Sequence, residues 1–189
     1  MIICQATLGD IPGIFDLHRL YHNDTVSDVD RPNGFVTTNF TEKQMYDLIA
    51  LHDGVTLAKD DDGSILAYAT AAPWEFWAEW PLFTYMIERL SEYKLGDETI
   101  TLENSYQYGP VCVHSNVRGT GVFEKVFYAS LANMEQRYPI MATFINQING
   151  RSYAAHTRKV PMTLSGTFQF NNNNYYLMAC STSLKPQCR

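Results

Sequence analysis

The stretch from Tyr108 to His156 constrains the fold of this chain more than any other. An apolar strand ending near Val113 leads into Arg118-Gly119-Thr120-Gly121, and a long helix, about Gly121 to Tyr138, follows at once. A glycine-bearing turn at a helix start presents N–H groups that have no carbonyl one turn earlier, together with the positive end of the helix dipole. That combination binds phosphate. Arg118 adds a guanidinium at the mouth, and Gly119 and Gly121 leave room for a ligand to approach the main chain. The helix carries Val122, Phe123, Val126, Phe127, Leu131 and Met134 as a broad apolar face. A strand, Ile140 to Asn146, comes next. A shorter helix, about Gly150 to Lys159, closes the stretch, with Asn149 as its cap and Pro161 as its stop.

Before this stretch the pattern reads strand, helix, helix, hairpin. Ile2 to Thr7 is a short strand, and Asp10 to His22 a helix with Ile11, Ile14, Phe15, Leu17 and Leu20 spaced for one buried face. Asn23 to Asn39 is polar, with Asp24, Asp28, Asp30, Arg31, Pro32 and Gly34 supplying turn chemistry. Thr41 opens a second helix with Gln44 as capping-box partner and Met45, Leu48 and Ile49 as the stripe. Gly54 to Lys59 and Ser64 to Ala72 form a hairpin around Asp60 to Gly63. An aromatic block follows, holding Trp74, Phe76, Trp77, Trp80, Phe83 and Tyr85, and Pro81 suits the first turn of a helix there. Thr99 to Val113 contains the next strand, whose regular pairing Gly109-Pro110 would interrupt. After Pro161, Met162 to Phe170 and Tyr175 to Ser181 make a final hairpin around Asn171 to Asn174.

At 189 residues and 46% hydrophobic, the chain is long enough to bury one full core, so a single domain over 1–189 is expected. No basic segment followed by an apolar run opens the sequence, and no stretch reaches the roughly 18 apolar residues of a membrane span. A soluble, cytoplasmic protein is the expectation. Cys4, Cys112, Cys180 and Cys188 lack CxxC spacing, so neither a zinc site nor a disulfide framework is indicated, and no metal is expected. His18, His22, His52 and His114 show no ligand pattern either.

The formal charge of −6 argues against nucleic acid or anionic membrane as partner. Between His114 and Pro161, however, six basic residues (Arg118, Lys125, Arg137, Arg151, Arg158, Lys159) stand against two acidic ones (Glu124, Glu135). The remainder of the chain therefore carries −10. One anionic ligand at the glycine turn and a cationic one admitted elsewhere fit that distribution. So does the ordinary habit of helices to collect basic residues on their outer faces.

The order strand, helix, helix, three strands, helix, strand, helix, two strands, with RGTG between the fourth strand and the third helix, resembles the GNAT superfamily of N-acetyltransferases. The family's loop reads Gln/Arg-x-x-Gly-x-Gly/Ala, matched by Arg118 and Gly121, with Phe123 in place of the last small residue. NGRSYAAHTRKV is similar to the family's second coenzyme-contacting helix. The resemblance implies an α/β (α+β) fold with a mixed, mostly antiparallel sheet of about seven strands, flanked by helices and splayed between strands four and five. It also implies acetyl-CoA as co-substrate. Arg118, Gly119, Thr120, Gly121, Val122 and Phe123 would cradle its diphosphate, Asn149 and Ser152 would add contacts, and Val111, Cys112 and Val113 would pair with the pantetheine arm as an added strand.

Acetyl transfer by direct attack needs a neutral amine, a polarised carbonyl and a proton for the departing thiolate. A backbone N–H near Val113 suits the oxyanion. Where the family usually places a Tyr, seven residues beyond the helix-start Asn, this chain has His156; an imidazolium is a competent acid, and a packed or surface histidine is the plain alternative. Tyr153 is the fallback acid. Gln107 stands where the family often has a Glu base, which leaves Glu103, Tyr108 or Glu75 acting through water, or no dedicated base. Tyr108 fits core or substrate wall equally well. The aromatic block reads as acceptor-pocket wall, ordinary core or dimer contact, and Cys112 as a small buried residue.

The resulting expectation is an acyl-CoA-dependent N-acetyltransferase acting on a primary amine, either a small cationic metabolite or a peptide amine, with a homodimer as an open option. A non-catalytic acyl-CoA-binding module is the rival. A P-loop nucleotide enzyme fits poorly, since RGTGVF lacks the Lys-Ser/Thr that would follow.

Overall fold

Nine strands and five α-helices are formed by residues 1–29 and 34–186, the part of the chain that the computed structural model describes. Asp30, Arg31 and Pro32 of the polar segment and Cys188 lie outside the described residues. The strands are β1 (Ile2–Gln5), β2 (Val55–Lys59), β3 (Ile65–Ala72), β4 (Lys94–Leu95), β5 (Glu98–Thr99), β6 (Ser105–Val113), β7 (Ile140–Asn146), β8 (Thr163–Phe170) and β9 (Asn173–Ser181). The helices are α1 (Ile11–Tyr21), α2 (Glu42–Ala50), α3 (Pro81–Ile87), α4 (Val122–Met134) and α5 (Gly150–Arg158). Seven strands form one sheet in the order β1-β2-β3-β6-β7-β9-β8, and β4 and β5 make a separate small hairpin. The sheet is mixed and mostly antiparallel, as the resemblance implied. Its parallel pair, β6 with β7, is held over Ser105–Gln107 opposite Ile140–Ala142. No described helix is long and apolar enough to cross a membrane.

The chain, read from its sequence as one domain, groups into two compact units, Met1–Ala71 with Gly109–Asn133, and Ala72–Tyr108 with Met134–Arg189. In the first unit, α1 buries Ile14, Leu17, His18 and Tyr21. That i, i+3, i+4, i+7 stripe differs from the expected one: Leu20 is 56% exposed, and Ile11 and Phe15 are half-buried. Thr41 caps α2 with both bonds of a capping box, Gln44 N–H to the Thr41 hydroxyl at 3.2 Å and Thr41 N–H to Gln44 Oε1 at 2.8 Å. In the hairpin of β2 and β3, Gly54 permits a close backbone approach, since a Cβ there would lie 2.0 Å from the Ala71 carbonyl oxygen.

The second unit is organised by aromatic rings. Trp74 and Trp77 are 0% exposed and Phe83 is buried. The Trp74 indole N–H donates to the Ser105 hydroxyl at 2.9 Å, and that of Trp77 to the Ala72 carbonyl at 3.3 Å. Phe83 continues the layer onto Phe144 at 4.8 Å, and Phe168 stacks on Tyr175 at 5.0 Å. Of the readings open for the aromatic block, core therefore holds for Trp74, Trp77 and Phe83, while Phe76, Trp80 and Tyr85 are half-buried. The final hairpin turns on Asn171 and Asn172, both at positive φ (46° and 61°), as a two-residue loop between strands of right-handed twist requires.

Candidate functional site

In the first unit the strand β6 delivers the chain into the glycine turn. His114 N–H donates to the Leu66 carbonyl at 2.8 Å, and the Thr70 hydroxyl reaches the Pro110 carbonyl at 3.3 Å. Successive residues of a strand direct their main-chain groups to opposite sides. Pro110, Cys112 and His114 therefore address β3, whereas Val111 and Val113 turn theirs to the other edge. Of the three residues expected to pair with pantetheine, Val111 and Val113 by this alternation face away from β3 and Cys112 faces it. The Cys112 thiol contacts the Leu17 carbonyl at 3.9 Å, and burial pushes its pKa up to about 12. A thiol in that condition is inert packing.

After a short 3-10 turn, Ser115–Val117, the chain reaches Arg118. Gly119 and Gly121 have φ of +84° and +85°, values that side chains with a Cβ rarely adopt, and a Cβ at either would meet nothing within 4 Å. The turn is thus open above both glycines. The Thr120 hydroxyl donates to the Val117 carbonyl at 2.7 Å, tightening the bend, and the Gly121 carbonyl accepts from Lys125 N–H at 3.1 Å as α4 begins. Val122 is buried, while Phe123 is half-buried with its ring 6.3 Å from that of Phe127 along the helix. The bulk at the family's small-residue position is thereby directed along the helix onto Phe127.

Arg118 is held without being neutralised. Its Nε donates to the Val113 carbonyl at 3.0 Å, and its Cζ lies 4.6 Å from the centre of the Tyr21 ring. Among the described residues no carboxylate pairs with it. Tyr21 was not singled out from the sequence, although counting i, i+3, i+4, i+7 from Ile14 gives Leu17, His18 and Tyr21.

In the second unit, Asn149 accepts Ser152 N–H at 3.2 Å and caps α5. His156 is 5% exposed; the pair of Nδ1 with the Ser152 carbonyl, 2.8 Å apart, makes Nδ1–H the donor. Its ring meets that of Tyr108 edge-on at 6.1 Å. Burial lowers the His156 pKa to about 4, partly offset by the bond to Ser152. The imidazolium expected from the sequence is thus replaced by a neutral ring at neutral pH, because a charged ring would be stripped of water there. Tyr108 is fully buried and burial holds its phenol pKa well above the usual value. Glu103 sits exposed in the turn before β6, and a hydrogen bond from Thr101 lowers its carboxyl pKa, which weakens it as a proton acceptor. Glu75 is also exposed. Tyr153 is half-buried, with its ring 4.3 Å from that of Tyr176. Gln107 is buried, its amide N–H donating to the Tyr108 carbonyl at 2.7 Å. Among the described residues no group of three or more His, Cys, Asp or Glu is placed to hold a metal ion.

No protein-family model matches the sequence, and no curated protein matches it. Solved structures do. A ribosomal-protein-alanine N-acetyltransferase from Brucella melitensis superposes with a TM-score of 0.61 at 17% identity, over 96% of this chain and 99% of that one. A GNAT-superfamily phosphinothricin acetyltransferase from Sinorhizobium meliloti, in complex with acetyl-CoA, gives 0.64 at 16% identity over 98% and 92%. A GNAT-family N-acetyltransferase from Escherichia coli in complex with CoA gives 0.57 at 16% identity over 96% and 81%. The chain has the fold of the GNAT-superfamily N-acetyltransferases.

Proposed function

We propose that this GNAT-fold protein transfers an acetyl group from acetyl-CoA to an amine. The observation that carries the reading is the Arg118–Gly121 turn: an unneutralised guanidinium beside two open glycines at the start of a thirteen-residue helix. In this reading Arg118 and the N–H groups of Gly119, Gly121, Val122 and Phe123 hold the diphosphate, the Thr120 N–H being spent on the Val117 carbonyl at 3.3 Å. Val111 offers pantetheine the main-chain edge that β3 does not use, while the Val113 carbonyl is taken by Arg118 and only its N–H is left for the thioester. The acetyl-CoA and CoA bound to fold neighbours support the same co-substrate.

The reaction is direct attack. The amine nitrogen bonds to the thioester carbonyl carbon, the carbon–sulfur bond breaks, and one proton travels from nitrogen to sulfur. The Val113 N–H would stabilise the oxyanion. The neutral amine itself supplies that proton; His156, a neutral imidazole of the second unit at neutral pH, is assigned no step. Glu103 is assigned no step, and an amine arriving partly deprotonated needs no dedicated base. The acidic remainder of the chain favours a small cationic amine or a peptide amine as acceptor.

Calorimetric titration with acetyl-CoA tests the binding half, with saturable heat as the expected result and none as the result that ends the proposal. Free thiol released from acetyl-CoA in the presence of an amine panel tests the chemistry. Binding without acceptor-dependent thiol would instead favour an acyl-CoA-binding module, a reading to which the amide of Gln107 at the usual base position lends weight.

A further inference from the structure

Tyr21, the last residue of α1, makes three separate contacts with the segment that enters the glycine turn. Its phenol oxygen accepts Ser115 N–H at 2.7 Å. Its ring face lies under Arg118 at 4.6 Å, and the His114 ring meets it edge-on at 6.2 Å and 88°. The side chain reaches this segment from 94 residues away in sequence and is only 7% exposed. Ser115 opens the 3-10 turn and Arg118 ends it, so one aromatic residue fixes both ends of a four-residue bend.

The chemistry of that support matters more than its rigidity. An Asp or Glu in place of the ring would orient Arg118 equally well, but it would neutralise the guanidinium and compete with an incoming anion. A ring face attracts the cation through its quadrupole and leaves the net charge intact. The Val113 carbonyl, taking Nε, completes a two-point hold that contains no formal negative charge. A phenol rather than a phenyl ring is used because the Ser115 N–H requires an acceptor.

We propose that Tyr21 is a positioning residue for diphosphate recognition, acting through Arg118 and Ser115. The inference rests on the acetyl-CoA reading of the same turn. It goes beyond that reading by naming a residue outside the glycine motif that sets its affinity.

The test is a double-mutant cycle on the full chain, with acetyl-CoA and inorganic pyrophosphate as separate titrants. Tyr21→Leu is expected to weaken acetyl-CoA binding about tenfold, the sum of a partly buried cation–π contact and one hydrogen bond. Tyr21→Phe, which keeps the ring, should lose only about threefold. In an Arg118→Met background Tyr21→Leu should cost no more than about threefold, because most of its effect passes through the guanidinium. In turnover the loss should fall on KM for acetyl-CoA and not on kcat. A role in folding alone predicts something else: a lower unfolding midpoint for Tyr21→Leu with parental affinity in the folded protein.

If the parent binds acetyl-CoA and folded Tyr21→Leu binds it equally well, the positioning role is overturned and the proposed function stands. Full multiplication of the two single losses in the double variant also overturns it. If the parent binds pyrophosphate but not acetyl-CoA, the proposed function falls, and the same cycle read with pyrophosphate decides the role of Tyr21. If it binds neither, both fall.

Discussion

One stretch in each unit treats its polar groups in the opposite way to the other. In the first, the turn after β6 leaves a cation, two glycine main chains and one strand edge available, with Arg118 steadied by a ring and a carbonyl instead of an acid. In the second, polar groups are spent on the protein's own structure. Trp74 is tied to Ser105, Asn149 to the start of α5, and His156 to the Ser152 carbonyl. The lesson is that a motif match and a working site are separate matters. A glycine turn presents backbone and keeps its chemistry whatever surrounds it, whereas a histidine or an asparagine takes its chemistry from its burial and its partners.

The largest expected effect breaks the second half of that comparison. Trp74→Ala removes a fully buried indole and leaves the Ser105 hydroxyl without its donor, so it should cost about 3–5 kcal/mol in denaturant unfolding. A loss under about 1 kcal/mol combined with changed amine kinetics would turn the block from core into pocket. Next comes the first half. Arg118→Glu reverses the unneutralised guanidinium at the turn and should weaken acetyl-CoA binding about 100-fold, near 2.7 kcal/mol. Affinity equal to the parent's would remove the turn from recognition altogether.

How legible these differences were follows from their causes. The glycine turn, the Thr41–Gln44 capping box and Pro81 at the start of α3 could be read in advance because each is local: the residue type and its spacing are the mechanism. The run Ile140–Asn146, set off by Pro139 and Gly150, marks β7 with its observed bounds in the same local way. The β4–β5 hairpin lies beyond such a reading, since two-residue strands carry no periodicity. Its only signal was Gly96-Asp97, with Gly96 at φ +62°, a pair that suits a two-residue loop. The charge state of His156 and the partnership of Tyr21 with Arg118 depend on contacts brought together by folding. Tyr21 alone lay within reach, as the fourth member of a helical stripe whose third member is a histidine.

A third prediction sets the units against each other by pH. Burial lowers the pKa of His18 in the first unit to about 4, with the neighbouring His22 adding to the effect, and burial does the same for His156 in the second. A histidine with a depressed folded-state pKa contributes stability that is complete above its unfolded value of 6.5 and is lost as pH falls toward 4. Each should therefore cost about 2 kcal/mol by pH 5. His18→Gln and His156→Gln should each flatten part of the pH dependence of unfolding between 6.5 and 4. An unchanged slope in either variant would mean that its ring is hydrated in solution. For His156 that outcome would bring back the imidazolium acid.

The smallest effect tests the position where resemblance and local geometry make different demands. Asn149 matches a coenzyme-contacting residue by its place in NGRSYAAH, yet its side-chain oxygen accepts the N–H of Ser152 as the cap of α5. Asn149→Ala should destabilise the protein by about 1 kcal/mol, and Asn149→Asp should restore most of that, since either side chain caps a helix. Acetyl-CoA affinity then separates the two roles. A cap that merely shapes the helix is replaced by Asp in binding as well as in stability. An amide that also touches the coenzyme is not, because the carboxylate keeps the cap acceptor, loses the amide donor and adds a negative charge near an anion. Stability restored with affinity still reduced would make Asn149 a coenzyme contact as well as a cap. Restoration of both would leave Asn149 as architecture.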